Sequence, residues 1–109
     1  MAGIWERVRK ATSETDNRIN IRLLQLELTG LALGVRTRAD ARLNIESELH
    51  EVLNTDELTD LNNLADLYEQ GSVQSKLVFA HTVDFALNEA ELGLITETEF
   101  RTILGLVTP

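Results

Sequence analysis

The sequence predicts a small, mostly α-helical domain, and three observations carry that expectation. Apolar residues recur at three- and four-residue spacing, capping pairs three residues apart stand where several of those stripes begin, and glycines stand where they end. With 109 residues, one proline and no cysteine, the chain has the size of one domain and no disulfide framework to replace a core. A single domain over 1–109 is therefore expected, with 1–36 as an N-terminal assembly arm and 37–109 as the helical core.

Ile4, Trp5, Val8 and Ala11 alternate with Glu6, Arg7, Arg9 and Lys10, which predicts a short amphipathic helix over 3–12 and a polar break from Ser13 to Asn17. Trp5 is expected to pack on the domain or on a neighbouring subunit, because an indole gains most from burial. The segment 18–36 fits two periods. Ile21, Leu24, Leu28, Leu31 and Val35 form a helical seam of the kind that pairs with other helices. Ile19, Ile21 and Leu23, then Leu24, Leu26 and Leu28, also alternate with Asn20, Arg22, Gln25 and Glu27 as a strand would. Leucine content argues for the helix, whereas Gly30 and Gly34 would each cost a helix interior about 1 kcal/mol. A β-hairpin at about 18–36, giving an α+β fold, is the alternative.

Thr37 and Asp40 mark the start of a helix over 38–53 with Ile45, Leu49, Val52 and Leu53 on one face. Thr55 then caps a helix over 56–70, striped by Leu58, Leu61, Leu64, Ala65 and Tyr68 and closed at Gly71. Residues 73–92 are apolar almost all round in their first half, through Val73, Leu77, Val78, Phe79, Ala80 and Val83, so this segment is expected to be the buried central helix. Thr96 and Glu99 have capping-box spacing for a last helix through Phe100, Ile103 and Leu104, ended by Gly105.

The formal net charge of −8 disfavours nucleic acid and anionic membranes as partners. Its distribution is uneven. Residues 1–42 hold eight basic side chains against five acids, a balance of +3, and residues 43–109 hold two against thirteen, a balance of −11. Such polarity suits a basic end that meets the acidic flank of a neighbouring copy, and equally two solvated helix faces. No membrane span is expected, since Arg22, Gln25 and Glu27 interrupt the most apolar stretch, and the first twenty residues lack a secretory leader pattern.

No constellation points to catalysis. His50 and His81 lie in different helices without metal-ligand spacing; His50 reads as exposed and His81, among apolar neighbours, as a core or interface residue. The carboxylate groups, Asp56, Glu57 and Asp60 among them, read as solvated surface. No cofactor, metal or small-molecule substrate is expected. Arg36, Arg38 and Arg42 are the densest basic cluster, and without interleaved aromatics they fit an acidic protein surface better than nucleic acid.

The last forty residues carry a further pattern. Tyr68-Glu69-Gln70-Gly71, then Leu92-Gly93-Leu94-Ile95-Thr96, Glu99-Phe100 and Ile103-Leu104-Gly105 resemble the short tail-associated phage proteins of the XkdX type. The Gly-x-Ile-Thr-x-x-Glu-Phe run is also similar to a short helical module at the ends of many bacterial proteins, where it is thought to assist oligomerisation. The interval from Gly71 to Gly93 is several residues longer than in the phage family, which implies an extended middle helix. The resemblance implies a structural virion protein of the tail or head–tail region, made in the host cytoplasm, that binds copies of itself and other virion proteins. The residues expected at the interface are Trp5, Ile21, Leu24, Leu28, Leu31, Val35, Arg36, Arg38 and Arg42. A small acidic adaptor binding one cellular partner through the arginines is the second expectation.

Overall fold

The computed structural model describes residues 3–13 and 18–106, of which 10–20 and Val73 contribute backbone only. Six helices and no strand occur among them: α1 (Ile4–Ser13), α2 (Arg18–Leu33), α3 (Arg38–Leu49), α4 (Thr55–Glu69), α5 (Val73–Glu91) and α6 (Glu97–Leu104). Of the expected polar break at 13–17, Ser13 belongs to α1 and residues 14–17 lie outside the described residues.

The hairpin alternative for 18–36 is not supported, since the segment is helical as far as Leu33. Two details remove the glycine objection. Gly34 stands just past the helix end at φ 78°, where Val35 N–H reaches the Gly30 carbonyl at 2.9 Å, so its conformational freedom terminates α2 instead of weakening it. Gly30 is interior, but the returning Arg36 side chain lies over it, with Cγ only 2.5 Å from where a Cβ would stand.

Local capping sets most other boundaries. Thr37 accepts the Asp40 N–H ahead of α3. That helix stops at Leu49, short of the expected Leu53, because His50 adopts a left-handed conformation at φ 54° and turns the chain. Val52 is consequently exposed, and only Leu53 of the pair packs inward. Asn54, one residue before the expected Thr55, caps α4 through a reciprocal box with Glu57. Thr96 and Glu99 form the second box, and Gly105 closes α6 at φ 82°.

The longest contact in the molecule is α2 against α5. Thr29 donates to Asp84 at 3.0 Å and Gly34 lies beside Lys76, so the two helices run antiparallel. The remaining helices close around this pair over one core that takes Val8 from α1, Leu28 from α2, Ile45 from α3, Leu64 from α4, Leu87 from α5 and Phe100 from α6. The segment expected as a separate N-terminal arm thus supplies part of the same core.

Candidate interaction face

Four of the expected interface residues are occupied within the chain. Ile21, Leu24, Leu28 and Leu31 are at most 3% exposed, because the α2 seam packs against the domain's own helices. They correct the expectation of an open seam. Trp5 is half-buried, stacked obliquely on Phe100 at 5.3 Å between ring centres, with the Arg9 guanidinium 5.8 Å above it. Val35 is exposed in the turn after α2.

The arginines are also engaged internally. Arg36 donates to Glu27 at 3.2 Å, Arg38 to Asp66 at 3.1 Å and Arg42 to Glu46 at 3.3 Å. Arg7 forks onto Glu57 through two bonds of 2.7 Å and pairs with Glu51 as well. The basic third and the acidic remainder of the sequence therefore meet inside one molecule.

Three carboxylates are buried, Glu27, Glu57 and Asp60, and for Glu57 and Asp60 this corrects their assignment as solvated groups. Glu27 accepts from Arg36 and Asn44; Glu57 accepts from Arg7 and from the backbone N–H and side-chain amide of Asn54 in the capping box. Asp60 accepts from Arg101 at 3.0 and 3.1 Å and from the Ile4 N–H at 3.1 Å. The hydrogen bonds Arg101 donates to Asp60 push its pKa up, and burial opposes them in part. Gly3 is required beside this group, since a Cβ there would meet Asp60 Oδ2 at 2.6 Å. With Glu57 answered by Arg7 and Asp60 by Arg101, this corner of α1, α4 and α6 is a structural clamp.

The opposite situation holds on α5. Its inward side is made of small and medium residues, Ala80, Val83, Ala86, Leu87 and Ala90, which let α2 approach closely. Its bulky residues point out: Leu77 is 52% exposed, Val78 57%, Phe85 53% and the capping Leu92 63%. This overturns the expectation of a helix buried all round. His81, expected in the core or an interface, is exposed on the same side together with Gln74 and Asn88.

These seven residues fall within about 100° of the helix circumference, given 3.6 residues per turn. None of them is a carboxylate, a lysine or an arginine. Beside the stripe, across the seam marked by the Thr29–Asp84 hydrogen bond, α2 adds Leu26 at 60% and Leu33 at 39% exposure. The α5 stripe and the α2 ridge together present a largely apolar face, with the half-buried Asp84 in the seam between them, on a chain of net charge −8.

No protein-family model, curated protein or solved structure matches this chain. The face must speak for itself. Among the described residues, no three His, Asp or Glu side chains converge as a metal site, and no helix is long and apolar enough to cross a membrane. The motif 68–105 is accounted for by local structure: Gly93 takes φ 72° after α5, Thr96 and Glu99 cap α6, and Phe100 docks it at 0% exposure. A sequence signal for the face does exist in the seven-residue repeat Val78, Phe85, Leu92 with Gln74, His81 and Asn88 set between.

Proposed function

We propose that this chain is a structural assembly protein that works by protein–protein contact, and that the outward side of α5 with the Leu26–Leu33 ridge of α2 is its contact surface. The observation that carries the reading is four bulky apolar side chains more than half exposed in one stripe without a formal charge. A chain with 18 acidic residues has ample means to cover a helix face with carboxylates, and here it does not. Exposed stripes of this kind are stabilised when a partner removes them from water, at roughly 25 cal/mol per Å².

The setting we propose is a phage virion, in the tail or head–tail region. The resemblance of residues 68–105 to XkdX-type proteins supports that setting, and the exposed face supports the mode of action. Other virion proteins and further copies of this chain are the partners that such a setting supplies.

Sedimentation equilibrium of the full chain from micromolar to millimolar concentration tests the reading. The wild type is expected to exceed the 12.2 kDa of one chain, and Phe85→Glu to remain at that mass. A wild type that stays monomeric throughout, or a Phe85→Glu variant that assembles equally well, overturns it.

A further inference from the structure

We draw no further inference here: the strongest candidate, the cavity of about 410 Å³ where α1, α4 and α6 meet, carries nothing, because Arg101 already answers its buried Asp60 and its other acids, Asp56 and Glu97, stand in the first turns of α4 and α6 with no second feature that points to a ligand.

Discussion

The clamp at α1, α4 and α6 and the outward face of α5 treat polarity in opposite ways. The clamp takes two carboxylates, Glu57 and Asp60, to 3% exposure each, while the face leaves Leu77, Val78, Phe85 and Leu92 more than half in water. Neither arrangement is favourable in isolation, since a buried charge needs a partner and an exposed stripe gains from one. In the clamp the partners are within the chain: Arg7, Arg101 and the Ile4 N–H. On the face they are not. The difference separates what holds this fold together from what the fold offers to other molecules.

The clamp can be broken most severely at Glu57. Glu57→Ala leaves Arg7, whose side chain is 11% exposed, without its two-pronged partner and removes half of the α4 capping box. Removing one member of a buried pair costs 3–5 kcal/mol, and a lost cap about 1 kcal/mol; with Glu51 still near Arg7, a destabilisation of about 3 kcal/mol is expected in urea unfolding. Asp60→Ala should fall slightly below that, because Arg101 retains more solvent. A loss under ~1 kcal/mol at both positions would show that pairing at this corner contributes little to the fold.

Tyr68 sharpens the comparison, since it is buried like the carboxylates but lacks their partners. Its ring packs against Phe79 at 5.0 Å, it is 1% exposed, and its hydroxyl finds no hydrogen bond among the described residues. Burial pushes the phenol pKa up. The folded state then keeps a proton that the unfolded chain gives up near pH 10, so stability is complete below that pH. It falls by about 1.4 kcal/mol per pH unit as pH rises further toward the folded-state value. Tyr68 is the only tyrosine, so phenolate absorbance during an alkaline titration reports this group alone. Tyr68→Phe should abolish that slope and raise stability at neutral pH by about 1 kcal/mol, the value of relieving an unpaired hydroxyl. A neutral-pH loss of that size would instead place a hydrogen-bond partner on the hydroxyl.

What the sequence made legible follows the range of the interactions. Both ends of α6 are readable because Thr96, Glu99 and Gly105 act within one turn, and the early stop of α3 is not, because His50 carries no turn signal. The extent of α5 is readable from its apolar run. Its orientation is not, because an all-round apolar pattern leaves the choice of inner side to the partner helix, and here the alanine side fits against α2. The clamp is equally hidden. Glu57 looks like an ordinary acid of a first helical turn and Asp60 like one of the next, and their partners lie 50 and 41 residues away. Charge balance along the chain was visible, but whether opposite charges meet within a molecule or between molecules depends on the fold.

The smallest effect on stability is expected at the face, and that is what completes the contrast. Phe85→Glu and Leu77→Glu replace side chains that are already 53% and 52% exposed and stand opposite the buried Ala86 and Ala90 side of α5. Their bulk contributes little to the intrachain core, and glutamate forms helix as readily as leucine and more readily than phenylalanine. Unfolding free energy measured below the range of self-association should therefore change by less than ~0.5 kcal/mol, the usual span for surface substitutions. The same variants should abolish self-association. Urea titrations at two protein concentrations resolve both quantities, because an oligomer gains apparent stability with concentration and a monomer does not. Loss of several kcal/mol at low concentration would place Phe85 in the core after all, whereas concentration dependence confined to the wild type would assign this face to assembly and the clamp to folding.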